Sequence, residues 1–248
     1  VINLMNSYME KLSEQDFKNE NINLYRYMDL SKFVSMLLSS SLYFTRADKF
    51  SDLFEGSFPE KTVKRNNNDL KNALLHIDEN NLETHYQLAS KSREIMKFYH
   101  YMSCWQMNDS ECYAMWYMYC SSKNSVCVQT TYSRFKSCLP DNIAFDQVMY
   151  IDYDDFDAPI KKPLDAFFYK KKEFHFEKEF RAIVTNYDDM DEKKEFVEEK
   201  INLNSLIEKI IVHPESDSWF LNVIDGLCKK FGLNVEVIPS SMKSKPTF

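Results

Sequence analysis

Residues 176–184 read F-E-K-E-F-R-A-I-V, and their alternation of charged and apolar side chains decides the fold prediction. Successive side chains on a β-strand point to opposite faces, so the pattern predicts a strand that continues to Thr185. Its apolar residues would face a core, while Glu177, Glu179 and Arg181 would share the other face. Buried carboxylates and a buried guanidinium need partners, so this face predicts either a structural ion-pair cluster or the wall of a polar cleft.

Shorter patterned segments extend from this strand in both directions along the chain. Alternating or apolar runs predict further strands at 22–27, 42–45, 99–106, 125–132, 145–153, 208–214 and 233–238. Helical spacing predicts helices at 29–40, 111–120, 164–172 and 216–231, and a polar helical insertion at about 59–98. The remaining segments are an aromatic loop at 47–58 and an acidic linker near 188–199. We therefore predict an α+β fold with a mixed, mainly antiparallel sheet of six to eight strands and flanking helices, in a single domain over residues 1–248.

Charge and glycine content limit the classes of function. The 248 residues carry 31 basic and 38 acidic side chains, and this net charge of −7 argues against a generic nucleic-acid or membrane-surface binder. Only 3 residues are glycine, and none lies in a G-x-G-x-x-G or G-x-x-x-x-G-K run. Because a Rossmann turn and a P-loop both need glycine close to phosphate, any nucleotide bound here would be held mainly by side chains.

Cysteine spacing and hydropathy predict the compartment. The 6 cysteines form no C-x-x-C pair, so we expect reduced thiols and no metal site. The first residues lack a basic start followed by an apolar core, and no apolar run reaches the roughly 18 residues of a membrane span. These features predict a cytoplasmic protein with no membrane partner.

Arg26 is the second candidate functional residue. It lies in L-Y-R-Y at 24–27 and is one of six arginines among 31 basic side chains, yet it falls on a predicted core strand. Its planar fork suits either a bidentate phosphate clamp or an ion pair with Glu177 or Glu179. Both alternatives remain open from the sequence.

Aromatic side chains form the third candidate feature. Trp105 lies on the predicted strand 99–106, and Trp116 and Tyr119 lie on the following helix. These rings would either stack on a nicotinamide or adenine ring or belong to an ordinary aromatic core.

Taken in order, several segments resemble a bacterial family named domain of unknown function 2971. They are L-Y-R-Y at 24–27, S-L-Y-F-T-R-A-D-K-F-S-D-L-F-E-G at 41–56, S-C-W at 103–105, M-W-Y-M-Y at 115–119, F-Y-K-K-K-E-F-H-F-E-K-E-F-R-A-I at 168–183 and I-I-V-H-P at 210–214. The resemblance covers about residues 22–215. The family usually has N-D-P-F-[DE] where this chain has S-D-L-F-E at 51–55, and it often has glycine where Ser125 stands, so two turns differ.

The segment order is also similar to the Arg–Ser–Glu arrangement of ADP-ribosyltransferases. This resemblance implies that Arg26 holds NAD phosphate and that Ser103 supports the nicotinamide ribose. It also implies that Glu177 and Glu179 form the catalytic E-x-E pair, with Glu179 on the ribose hydroxyl, where it stabilises the positive charge that develops as nicotinamide leaves. It implies an ADP-ribosyltransferase-like core with NAD as substrate, in an effector or phage-defence protein that modifies a macromolecule. S-C-W at 103–105 stands where that superfamily has S-T-S, so the second serine is absent.

Two hypotheses of different class follow. In the first, the chain is an NAD-dependent transferase in which Arg26, Arg181 and the aromatic rings contact the nucleotide. In the second, it is a non-catalytic binding module whose charged cluster holds the sheet together. The transferase hypothesis predicts that Arg26 and at least one of Glu177 and Glu179 lie on neighbouring strands with charged ends within about 8 Å. Placement of these groups on opposite faces of the sheet would rule the hypothesis out.

Overall fold

A computed structural model describes residues 22–74, 78–157, 162–187, 194–244 and 246. Within these residues, a mainly antiparallel sheet of nine strands with flanking helices confirms the α+β class and corrects the predicted count of six to eight strands. None of the described helices is both long and apolar enough to cross a membrane.

The elements are named in chain order. The main sheet comprises β1 (Asn23–Asp29), β2 (Ser41–Arg46), β3 (His100–Met107), β4 (Ser125–Thr131), β5 (Ala144–Gln147), β8 (Glu179–Thr185), β9 (Phe196–Lys200), β10 (Lys209–Val212) and β11 (Glu236–Pro239). A separate parallel pair is formed by β6 (Met149–Ile151) and β7 (Tyr169–Lys171). The helices are α1 (Leu30–Ser39), α2 (Glu60–Ala73), α3 (Glu79–Ile95), α4 (Tyr113–Tyr119), α5 (Tyr132–Cys138), α6 (Leu203–Leu206) and α7 (Ser218–Lys230). The stretch predicted to be a helical insertion thus forms α2 and α3.

The main core lies on one face of the sheet and follows from the alternation along β8. Phe180, Ala182 and Val184 are buried there, as the pattern predicts, and Trp105 of β3 pairs directly with Phe180. Helix α1 covers the same core, with Phe33 among its buried residues. Burying a large apolar side chain contributes about 1.5–3 kcal/mol, so this face supplies much of the stability.

The sheet opens along β3. Strand β8 pairs with one edge of β3 through residues 100–106. On the other edge, β1 pairs only at residues 106–107 and β2 only at residues 101–102. Among the described strands, none pairs with residues 103–105 on that edge. Strands β1 and β2 therefore diverge, and the space between them is the opening described below.

Two predicted elements in the middle of the chain are wrong. The strand expected over 145–153 is divided at Val148, whose N–H donates to the carbonyl of Glu179, so β5 and β6 join different sheets. The helix expected over 164–172 is a 3-10 turn at Pro163–Phe168 followed by β7. Residues 166–170 are all buried, so the run has no exposed side from which a helical period could be detected.

Two boundaries near the charged segments also differ from the prediction. Strand β8 begins at Glu179 because Lys178 has a left-handed backbone (φ 44°), which ends a 3-10 turn over Lys172–Glu177. Glu177 therefore does not lie on the strand, and the predicted single face for Glu177, Glu179 and Arg181 is wrong. The acidic segment near 188–199 includes the start of β9, which pairs with β2; its residues 188–193 lie outside the described ranges.

Candidate functional site

A cavity of about 660 Å³ lies at the opening of the sheet. Its walls come from β1, α1, β2, the loop after β2, β3 and α4, and its volume falls in the range of about 300–1,000 Å³ typical of small-molecule sites. The predicted site residues at its wall are Arg26, Trp105, Tyr119, Glu177 and Glu179. The other three predicted site residues, Ser103, Trp116 and Arg181, lie outside its wall.

The guanidinium of Arg26 sits in the opening itself. Its Nη1 donates to Ser103 Oγ on β3 at 2.9 Å, and its Nη2 donates to the carbonyl of Tyr43 on β2 at 3.1 Å. Its Cζ lies 5.7 Å from the ring centroid of Trp105. Burial lowers the pKa of Arg26 to about 10, so the group stays charged at neutral pH. In the described part of the chain, no carboxylate pairs with Arg26 and three of its five N–H groups have no acceptor.

Ser103 positions Arg26 and does not contact the cavity. Its side chain is fully buried, and its Oγ accepts hydrogen bonds from Arg26 and from Trp105 Nε1, the latter at 3.2 Å. The ring of Trp105 packs edge-on against Phe135 of the main core at 5.3 Å. The predicted contact of Ser103 with a ribose therefore has no geometric support, because the hydroxyl is enclosed by its own partners.

Helix α4 turns one aromatic ring toward the cavity and another away from it. Met115 and Tyr119, four residues apart, both line the cavity, as side chains on one helix face do. Trp116 is fully buried, packs edge-on against Tyr27 at 5.0 Å and donates its Nε1–H to Glu111 at 3.0 Å. Trp116 thus packs in the core, which was the second of the two predicted alternatives, and its placement gives no support to stacking on a ligand ring.

Arg181 lies in a closed ion-pair cluster. Its Nε and Nη2 donate to Glu179 at 2.7 and 3.1 Å, and its Nη2 also donates to Glu55 at 2.9 Å. Its Nη1 donates to Glu55 and, at 2.6 Å, to the carbonyl of Phe167. All five N–H groups are used and the side chain is fully enclosed, so Arg181 has no donor for a cofactor. Its predicted role in binding the nucleotide therefore has no support in this geometry, because a buried guanidinium needs these partners.

Glu177 and Glu179 share Lys170 but differ in protonation behaviour. The ammonium of Lys170 donates to Glu177 and, at 3.1 Å, to Glu179, while the hydroxyl of Tyr119 donates to Glu177 at 3.1 Å. Burial favours the neutral form of Glu179, but Arg181 and Lys170 outweigh burial and lower its pKa to about 2. Burial raises the pKa of Glu177 above its ordinary value. Glu179 is thus a neutralised structural anion, and Glu177 is the titratable carboxyl at the cavity.

The prediction that Arg26 and at least one of Glu177 and Glu179 lie on neighbouring strands is wrong, and Glu177 lies in a 3-10 turn. Strand β3 lies between their strands: Tyr25 pairs with Gln106, which pairs with Glu179 on its other edge. Directly paired residues share a face, so Arg26, the next residue on β1, leaves the sheet on the face opposite to Glu179. Only its guanidinium reaches the common cavity, by way of the opening. This placement weighs against a paired action of Arg26 and Glu179 on one ligand.

Glu55 and Lys170 are cluster members that sequence reasoning missed. Glu55 comes from the loop after β2 and is buried against Arg181, 126 residues away in sequence. The loop turns at Gly56, whose φ is 66° and where any Cβ would clash with the ring of Phe167. The motif D-L-F-E-G was a signal for this glutamate, whereas Lys170 is indistinguishable from its neighbours in a run of three lysines.

Cys104 lines the cavity but is not an activated thiol. Burial raises its pKa well above the ordinary value, and the nearby carboxylate of Glu179 acts in the same direction. A nucleophilic cysteine needs a lowered pKa, so this residue contributes polar surface to the wall and no reactive group.

Comparisons with known proteins add no relative. A scan against protein-family models, a search of curated proteins and a search of solved structures each found no match to this chain. The resemblances to domain of unknown function 2971 and to ADP-ribosyltransferases therefore stay predictions from the motifs.

Proposed function

We propose that this protein binds NAD, or a similar phosphate-bearing nucleotide, in the cavity at the opening of the sheet. The observation that carries the proposal is Arg26: a charged guanidinium held on two sides, with unused donors, at the wall of a cavity of about 660 Å³. Arginine binds phosphate through parallel N–H donors, and these donors are already oriented by Ser103 and the Tyr43 carbonyl. The ligand would extend this hydrogen-bond set without breaking it.

Other wall residues supply the remaining contacts that a nucleotide needs. Lys32 and Ser35 of α1 line the cavity and add a second cation and a hydroxyl for phosphate oxygens. Tyr119 also lines the cavity and is 43% exposed, so its ring can stack on a base. Tyr43 lines the cavity as well, with its ring stacked on Phe196 at 4.6 Å. Side chains alone therefore supply the phosphate and ring contacts, as the scarcity of glycine requires.

A specific observation favours a second candidate function, transfer of ADP-ribose from NAD to a macromolecule on an ADP-ribosyltransferase-like core. Glu177 is a titratable carboxyl at the same cavity, held by Tyr119 and Lys170. In such a transfer the ribose–nicotinamide bond breaks, its electron pair leaves with nicotinamide, and an acceptor group bonds to the ribose carbon. Glu177 would stabilise the developing positive charge and take the acceptor's proton. Glu179 is less suited because Arg181 and Lys170 already neutralise it.

Binding is tested by thermal denaturation of the whole chain with and without NAD. At about 100 times the dissociation constant, a ligand bound only by the folded state adds roughly 2.7 kcal/mol to the free energy of unfolding. Arg26→Gln should remove this shift, whereas Arg93→Gln, which makes the same charge change on α3, should retain it. A wild-type protein that shows no shift in millimolar NAD would contradict the proposal. Transfer is tested by nicotinamide release, which Glu177→Gln should abolish.

A further inference from the structure

The buried cluster beside the cavity contains unequal numbers of opposite charges. It holds three carboxylates and two cations, all less than 10% exposed: Glu55, Glu177 and Glu179 with Lys170 and Arg181. Within the described ranges, no other lysine or arginine pairs with these carboxylates. A buried charge without a partner is costly, so the surplus negative charge must be neutralised by a proton or by a cation from outside the protein.

The geometry locates the surplus at Glu177. Both oxygens of Glu55 accept from Arg181, and both oxygens of Glu179 accept from Arg181, one of them also from Lys170. Glu177 has only the shared ammonium of Lys170 and the neutral hydroxyl of Tyr119. It also lines the cavity, so a positive charge entering from the cavity would meet this carboxyl.

We infer that the ligand of this cavity brings a cationic group to Glu177, so that the cavity selects the oxidised, positively charged nicotinamide nucleotide over its reduced, neutral form. This inference rests on the proposed function, in which a nicotinamide nucleotide occupies the cavity with its phosphates at Arg26. The cavity wall then carries both charges: the guanidinium of Arg26 for the phosphates, and the carboxyl of Glu177 for the ring. Only the oxidised form matches both charges.

Proton release should accompany this selection. The charged and titratable groups facing Glu177 are Tyr119 of α4, Tyr150 of β6, Lys170 of β7 and Glu179 of β8. Burial raises the pKa of Glu177, so the empty protein keeps a proton there to higher pH than an ordinary glutamate. A cation beside Glu177 favours its ionised form, and binding therefore releases that proton. Affinity for NAD should rise with pH until Glu177 is ionised in the empty protein, whereas affinity for NADH should not rise.

Calorimetric titration of the whole chain with NAD and with NADH tests the inference. Measurements at about pH 6 and pH 8, each in two buffers of different ionisation enthalpy, report both affinity and proton release. We expect NAD to bind at least about tenfold more tightly than NADH at the higher pH, with proton release at the lower pH for NAD alone. Glu177→Gln should remove the preference and the proton release while leaving NADH affinity unchanged. Glu198→Gln, which removes an exposed charge at the same cavity, should retain both.

The outcomes separate the inference from the proposal on which it depends. Equal affinity for the two nucleotides, or a preference that survives Glu177→Gln, would overturn the inference and leave nucleotide binding intact. Failure of both nucleotides to bind would contradict the proposed function itself. If Glu177→Gln does not fold, the wild-type affinities and proton count decide the question without it.

Discussion

Arg26 and Arg181 are both arginines on strands of one sheet, yet their surroundings differ completely. Arg181 uses all five N–H groups within a closed cluster, whereas Arg26 uses two of its five among the described residues and borders a cavity. The difference arises from the neighbouring strands. Arg181 is enclosed by the loop that delivers Glu55, while Arg26 points into the gap that β1 and β2 leave along β3. Unused hydrogen-bonding capacity, and not residue type, therefore distinguishes a candidate ligand anchor from a structural ion pair.

The largest expected effect comes from removing the enclosed arginine. Arg181→Met leaves Glu55 and Glu179 buried without their main partner, which should cost about 3–5 kcal/mol of unfolding free energy. Arg26→Met should cost less than half as much, because no buried carboxylate depends on Arg26 in the described structure. Urea denaturation of the two variants measures the difference, and equal losses would break the comparison.

Next in size is the charge of Glu179. Its pKa is about 2 in the folded chain against about 4.3 when unfolded, so the ionised form contributes roughly 3 kcal/mol of stability at neutral pH. Because the folded pKa is depressed, this contribution is present above the unfolded value and is lost as pH falls from about 4.3 toward 2. Glu179→Gln should remove this contribution at pH 7. It should also make the free energy of unfolding depend less on pH between about 4.3 and 2. An unchanged profile would show that Glu179 is not the neutralised member of the cluster.

Ligand binding should depend on the open arginine. The roughly 2.7 kcal/mol that NAD is expected to add to stability at about 100 times its dissociation constant should disappear in Arg26→Gln, because its oriented donors are lost. Arg26→Lys keeps the charge but not the fork and should recover only part of the shift. Ligand-dependent melting of both variants measures this, and full recovery by lysine would mean that charge alone binds the phosphate.

The smallest stability effect is expected at Glu177. Since burial raises the pKa of Glu177, its ionised form is less favourable in the folded chain than in the unfolded chain, and Glu177→Gln should change the free energy of unfolding by less than about 1 kcal/mol at pH 7. Chemical denaturation of Glu177→Gln and Glu179→Gln under the same conditions compares their free energies of unfolding. Equal costs for the two variants would place both carboxylates in the structural cluster.

Local patterns predicted the bounds of several strands and helices, including β3, which is buried on both faces. Helix α1 and strand β3 lie within two residues of their predicted bounds, because side-chain spacing is a property of the local chain. Prediction failed at 164–172, where the chain forms a 3-10 turn and then a strand of three residues, both too short to carry a periodic pattern. It also failed at Lys178, whose left-handed backbone releases Glu177 from the strand.

The sequence by itself determined the alternating core face of β8, the exclusion of glycine-rich phosphate loops and the candidacy of Arg26, Glu177 and Glu179. Only the tertiary structure decided which of these groups already have their hydrogen-bonding and ion-pairing partners within the protein. The opening beside residues 103–105 depends on where β1 and β2 stop pairing with β3. The enclosure of the Arg181 side chain depends on Glu55, which is 126 residues away in sequence. Partners that distant are brought together by strand register and loop path, whose energies come from contacts that no local window of sequence contains.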